Sequence, residues 1–237
     1  MSVSLNELGY RIFNIILPKV SDDSSIDIAD IRYDIENTRA LLIKRRYGSK
    51  FKTQLPEAIV QSIESLEIES VNASNVIIQS DKVLMKTKLQ IPQLLEKSSG
   101  MPMVKRISAA TVLSNNFTVV TPQQAIYSGN GKFNQKNIFC FYEDGYLYLV
   151  TKRDLFKGVK YIDVDAVFER PTEYFTFMNA NLSGAFDYDS NYPVALDMID
   201  DIEQIVIKNK LRIESTQPVD DVNDSSDTSK QMANPSN

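Results

Sequence analysis

Six basic side chains and no acid lie between Arg39 and Lys52: Arg39, Lys44, Arg45, Arg46, Lys50 and Lys52. Cations at that density suit one of two tasks. They can solvate the last turns of a helix, where positive charge complements the carbonyl end of the dipole. They can also face phosphate or an acidic neighbouring subunit. Tyr47 and Phe51 interleave with them, but two aromatics do not make a base-stacking platform. The opposite charge gathers at Asp220, Asp221 and Asp224, in an Asp-, Ser- and Asn-rich stretch of low hydrophobicity that is expected to lack order in isolation. The basic run and the acidic tail are therefore candidate contacts between copies of the chain, as in a head-to-tail ring.

Covalent chemistry has little to work with. The chain of 237 residues has no histidine, the commonest general base and metal ligand, and a single cysteine, which excludes an intramolecular disulfide. Cys140 sits in the apolar run Ile138-Phe139-Cys140-Phe141-Tyr142 and reads as a buried small hydrophobe. A thiolate nucleophile would need an electropositive, accessible site. Ser128-Gly129-Asn130-Gly131-Lys132 imitates a phosphate loop, but Phe133 stands where Ser or Thr is required, so a glycine turn between strands is the better reading. Asp187-Tyr188-Asp189-Ser190-Asn191 has the acids of a calcium loop without its sixth-place glycine or distant Glu, and reads as a solvated loop with a helix N-cap. Neither HExxH nor GxSxG occurs. No enzymatic activity, cofactor or metal is expected.

Composition bounds the rest. Hydrophobic content of 43% and charged content of 24% are ordinary for a globular protein, and the net charge of −5 argues against binding nucleic acid by overall charge. No apolar run is long enough for a membrane span. Met1-Ser2-Val3-Ser4 lacks the basic n-region of a signal peptide. The expectation is a soluble protein of a reducing or neutral compartment.

The elements that would position these residues follow from periodicity. Leu5, Leu8, Ile12 and Ile15 or Ile16 make a helical stripe over residues 3–17, with Ser4 as N-cap, Glu7 completing a capping box and Pro18 as the stop. A second helix is expected over about 26–47, capped from the loop Ser21-Asp22-Asp23-Ser24-Ser25. Its packing residues are Ile28, Ile31, Ile35 and Leu42, and Gly48 ends it.

From Ala58 the pattern turns to strands. Leu66 to Val71 alternates cleanly, while Ile59, Ile63 and Leu66 are ambiguous between helix and strand. Val76–Gln79 and Val83–Leu89 read as short strands, and Ile91–Glu96 as a short helical turn begun by Pro92. Pro122–Ala125 reads as another helical turn. The strongest local signal is a hairpin in which Ile138–Tyr142 and Tyr146–Val150 flank Glu143-Asp144-Gly145. Val159–Asp163 and Ala166–Glu169 read as strands, and residues 172–190 as turn-rich. The last helix is expected to start at Pro193 and to pack through Leu196, Ile199, Ile202 and Val206.

The expected fold is α+β. The N- and C-terminal helices form a helical layer, a central β-rich insertion is sandwich- or barrel-like, and an acidic tail follows. The boundaries fall at 1–55 (helical hairpin), 56–190 (β-rich), 191–213 (C-terminal helix) and 214–237 (tail).

The succession Ala166-Val167-Phe168-Glu169-Arg170-Pro171, then Asp189 to Tyr192-Pro193, then Met198-Ile199 and a helix, then Asp220-Asp221-Val222-Asn223-Asp224, resembles the C-terminal half of head-to-tail ring (connector) proteins of crAss-like phages, short-tailed phages that infect Bacteroidetes. That resemblance implies a non-enzymatic virion protein forming a cyclic homo-oligomer, a dodecamer matching the portal. The ring would pass double-stranded DNA through its lumen without tight binding, with the portal, neighbouring rings and tail proteins as partners. It would be assembled in the host cytoplasm. Two other readings stand beside it. One is a nucleic-acid-binding accessory protein using residues 39–52, and the other is a tail or baseplate subunit of another kind.

Overall fold

The computed structural model describes residues 3–19, 26–49, 54–71, 82–110, 117–125, 127, 137–152, 159–181 and 188–214. The strand expected at 76–79, the glycine turn at 128–132, the loop at 21–25, Asp187, Lys50, Phe51, Lys52 and the whole acidic tail lie outside these residues.

Helix α1 (Leu5–Ile16) starts where the sequence predicts, because the Ser4 hydroxyl accepts the Glu7 N–H at 3.0 Å. Its stripe of Leu5, Leu8, Ile12 and Ile16 is buried. Helix α2 (Ile28–Tyr47) is capped by Asp27, whose carboxylate accepts the Ala29 N–H at 3.3 Å. Asp27 thus takes the role expected of the loop before it. Gly9 lets α1 and α2 approach closely, since a Cβ there would lie 3.3 Å from Ile28 Cδ1. Helix α5 (Ile199–Glu214) packs against both, so that α1, α2 and α5 share one core.

The start of α5 corrects the sequence reading. Residues 191–194 run alongside the start of α1: Ser4 and Asn191 form a β-bridge, and Tyr192 N–H donates to the Val3 carbonyl at 2.9 Å. The Pro193 carbonyl is itself engaged by Arg39 at 2.6 Å. Held this way, Pro193 does not open the helix. A 3-10 turn at Leu196–Met198 intervenes, Met198 enters the core, and Leu196 is left 58% exposed.

The middle of the chain forms one seven-stranded sheet from β1 (Gln61–Ser70), β2 (Lys82–Thr87), β3 (Val104–Ala109), β4 (Thr118–Val119), β5 (Phe139–Glu143), β6 (Tyr146–Lys152) and β7 (Tyr161–Ala166), in the order β3-β7-β1-β2-β6-β5-β4. All pairings are antiparallel except β4 with β5. Phe117 N–H donates to the Ile107 carbonyl at 2.8 Å, bringing the two sheet edges together, so the sheet is nearly closed into a barrel. Ile63, Leu66, Ile107, Leu147, Leu149, Ile162 and Val164 form its core.

In β1 the buried residues Ile63 and Leu66 are three apart, out of phase for a strand. A bulge restores the phase: Ile63 pairs with Val164 and Leu66 with Ile162, and the additional residue places Ser65 at φ +58° with its N–H on Asp163 Oδ1 at 2.9 Å.

The β5–β6 hairpin forms as its turn chemistry dictates, with Asp144 at φ +51° and Gly145 at φ +81° between the paired Glu143 and Tyr146. A Cβ at 145 would meet only the Gln90 side chain, at an ordinary contact distance of 3.5 Å, so the cost of a side chain there is mainly conformational. Gly145→Ala is expected to lower stability by about 1 kcal/mol, read as a shift in urea midpoint with the slope unchanged.

The strands expected at Val159–Asp163 and Ala166–Glu169 are one strand, β7, which ends at Ala166 because Val167 to Glu169 pair instead with residues 93–95 and 103. Two further segments differ from expectation. Residues 171–181 are a helix, α4 (Pro171–Asn181), where the sequence reads as turns. Pro171 occupies its first position, and Tyr174 and Phe177 join the barrel core beside Phe168, with the Phe168 and Tyr174 rings 4.9 Å apart. Residues 91–96 are extended, not helical. Leu94 bridges Phe168, and Leu95 N–H donates to the Val167 carbonyl at 2.8 Å. The short helix α3 (Pro122–Ala125) forms as expected, its Ala125 packing with Phe141 and Val150.

Candidate functional site

The basic run divides into three fates. Arg39 is not a surface cation at all: it is fully buried. It lies four residues after Ile35 and three before Leu42, on the face that α2 turns inward, and its guanidinium serves irregular backbone. Nε donates to Pro193 O at 2.6 Å, Nη1 to Phe168 O at 3.1 Å and Nη2 to Ile59 O at 3.4 Å. Burial pulls its pKa below the ordinary value, while Tyr192 and Glu36 pull the other way. The planar fork makes this possible, because three donors diverge in fixed directions from one charge.

Glu36, one turn earlier, caps α4 from outside. Its carboxylate accepts both the Thr172 N–H and the Thr172 hydroxyl at 2.9 Å. A carboxylate there also complements the positive end of the α4 dipole. Burial raises the Glu36 pKa, partly opposed by the Thr172 hydrogen bonds and by Arg39 and Arg170. Arg170 adds a third tie: its guanidinium lies 4.9 Å over the Tyr33 ring and donates to the Tyr33 hydroxyl at 3.2 Å. Tyr33, Glu36 and Arg39 thus clasp α2 to the end of the barrel strand β7 and to α4. The sequence reading missed this clasp. Its one signal was an arginine at a stripe position of an otherwise apolar helix face.

Arg46 has the second fate. It bridges to Asp197 and Asp201, both at 2.5 Å, and so ties the end of α2 to the start of α5. The carboxylates are well exposed, so Arg46→Gln is expected to cost under about 1 kcal/mol, with the difference shrinking in high-salt denaturation.

Lys44 and Arg45 have the third fate. Both are exposed, and neither pairs with an acid among the described residues. The cations expected at Lys50 and Lys52, and their proposed partners Asp220, Asp221 and Asp224, fall outside the described residues.

Of the expected packing residues, Ile31, Ile35, Leu42, Ile199, Ile202 and Val206 meet in the shared helical core. Ile28 is half-buried against Gly9, and Leu196 faces solvent.

Cys140 is buried in the barrel core, which pushes its thiol well above the ordinary range, away from thiolate chemistry. Among the described residues, no cluster of three or more His, Cys, Asp or Glu side chains could hold a metal ion. No described helix is long and apolar enough to cross a membrane.

What remains is a framework: two helical ends bound into one layer, clasped to a nearly closed barrel, with the exposed cations Lys44 and Arg45 at the end of α2. The architecture is α+β. A family profile for phage tail ring protein 2 matches residues 7–230, and the chain belongs to that family of crAss-like phage ring proteins. Such families are structural and not normally enzymatic. No curated protein matches the chain.

Proposed function

We propose that this chain is the subunit of a cyclic homo-oligomeric ring in the portal-to-tail connector, with double-stranded DNA passing through the ring during packaging and ejection. The observation that carries this reading is the family match, which spans nearly the whole chain. Twelve-fold symmetry matching the portal, neighbouring rings and tail proteins as partners, and a place in the virion belong to the same proposal. Contact between copies runs from the acidic Asp220, Asp221 and Asp224 to the cations Lys44, Arg45, Lys50 and Lys52. Arg39 and Arg46 drop out of that contact, because intrachain partners hold them.

The clasp through Arg39, Glu36 and Arg170 supports the role mechanically. A subunit in a loaded conduit needs its helical layer and barrel to move as one body.

Electron microscopy of virions together with native mass spectrometry of the purified chain tests the reading. A ring at the head–tail junction is expected. A chain that stays monomeric at every concentration and is missing from the junction of intact particles would overturn it. A conduit should also hold DNA weakly. A salt-titrated mobility-shift assay is therefore expected to show no submicromolar binding, and tight binding with a steep salt slope would favour a nucleic-acid-binding protein instead.

A further inference from the structure

Between α2 and α5 runs an open groove of about 390 Å³, lined by Asp34, Leu41, Ile205, Asn209 and Arg212 among others. Leu41 is 43% exposed on its rim. One turn further along the same face of α2 stand Lys44 and Arg45, exposed and without an acidic partner among the described residues. Leu41 and Ile205 thus form an apolar stretch beside the basic end of a groove that is otherwise lined by polar side chains. The helices are antiparallel here, since Lys210 pairs with Asp34 at 2.8 Å while Arg46 pairs with Asp197 and Asp201. The C-terminus of α5 therefore lies at the end of the groove away from the cations.

Resting on the ring reading above, we infer that this groove receives residues 218–224 of an adjacent copy, Pro218-Val219-Asp220-Asp221-Val222-Asn223-Asp224. The segment matches the groove in kind. A polyproline-type extension begun by Pro218 has three residues per turn, which puts Val219 and Val222 on one face and Asp220 and Asp221 on the others. The valines meet Leu41 and Ile205, and the acids meet Lys44 and Arg45.

Length suits the groove: seven extended residues, 218–224, span roughly 23 Å, enough to follow the ~17 Å of α2 face from Asp34 to Arg45. Direction favours a neighbour's groove over the chain's own. Pro218 biases Gln217 towards extended backbone, and docking in the chain's own groove would require a reversal within Ser215-Thr216-Gln217.

Cross-linking of full-length chains tests this directly, because the native Cys140 is buried. A Leu41→Cys chain is mixed with a Val219→Cys chain and treated with a short bis-maleimide, with wild type treated alongside for background. A Glu64→Cys chain, carrying its thiol on an exposed barrel position, replaces the Leu41→Cys chain as control. The expected result is an interchain product several-fold above that control. Lys44→Glu with Arg45→Glu should reduce it several-fold, and adding Asp220→Lys with Asp221→Lys to the tail-bearing chain should restore it.

Yield no higher than the control overturns the groove assignment. So does a Leu41→Cys, Val219→Cys double variant that links only within itself on dilution. The oligomeric state of untreated wild type is measured in parallel. Rings with background cross-linking sink the groove and leave the ring reading intact. Specific cross-linking without any ring sinks the ring reading and leaves the groove.

Discussion

Replacing Arg39 with leucine is expected to destabilise the chain by about 3–5 kcal/mol, read by urea denaturation at neutral pH. The leucine fills part of the volume but donates nothing. Three carbonyls, at Ile59, Phe168 and Pro193, then lose their shared donor inside the protein. Each unsatisfied buried acceptor costs on the order of 1–3 kcal/mol, and partial relaxation keeps the total below the simple sum. Against a typical stability of about 5–15 kcal/mol, the loss is a large fraction. Arg39→Lys should recover only part of it, because an ammonium on a flexible stem does not reproduce a fork aimed at three separate segments. A leucine variant within about 1 kcal/mol of wild type would mean that water or another donor serves these carbonyls, and the clasp would lose its central member.

Glu36 gives the second large effect, and its size depends on pH. Glu36→Ala removes the cap of α4 and leaves the Thr172 N–H and hydroxyl without their acceptor, at a cost of about 1–3 kcal/mol. Glu36→Gln keeps an acceptor for the N–H and offers a donor to the hydroxyl, so it should fold nearly as well. Its value lies in the pH profile. Burial raises the folded-state pKa above the ordinary 4.5, so between those two values the folded protein holds more protons than the unfolded chain. Stability from this group is therefore complete below 4.5 and is lost as pH rises through the folded-state value. Relative to wild type, Glu36→Gln should gain stability as pH is raised from below 4.5 to neutrality. Parallel profiles for the two proteins would show that Glu36 has the same proton affinity folded and unfolded.

The parts of this fold that can be read from sequence are those whose cause is local. Ser4 caps α1 because a hydroxyl three residues before Glu7 reaches an unpaired N–H, and the Asp144-Gly145 turn forms because both residues tolerate positive φ. What escapes a sequence reading depends on distant partners. Residues 172–190 read as turn-rich, yet 171–181 are helical, because Pro171 opens a helix and Glu36, well over a hundred residues earlier, caps it. Leu196 belongs to the α5 stripe by spacing alone, and loses its place because Arg39 and α1 hold residues 191–194 extended. Ile63 and Leu66 defeat period counting because a bulge lies between them. Arg39 looked like part of a cationic surface because its neighbours at 44–46 are cations. Its position in the Ile35–Leu42 stripe was the better guide.

The helical layer is closed by the last described element of the chain. About 150 residues separate Gly48, where α2 ends, from Ile199, where α5 begins. During synthesis at ~5–20 residues per second, α1 and α2 wait roughly 8–30 s for the helix that covers them. Over that interval Ile31, Ile35 and Leu42 have no α5 to pack against, and Arg39 lacks the Pro193 carbonyl. A nascent chain is thus sticky early and capable of its final contacts only late. Folding of this layer therefore depends on whatever shields the first two helices until α5 arrives.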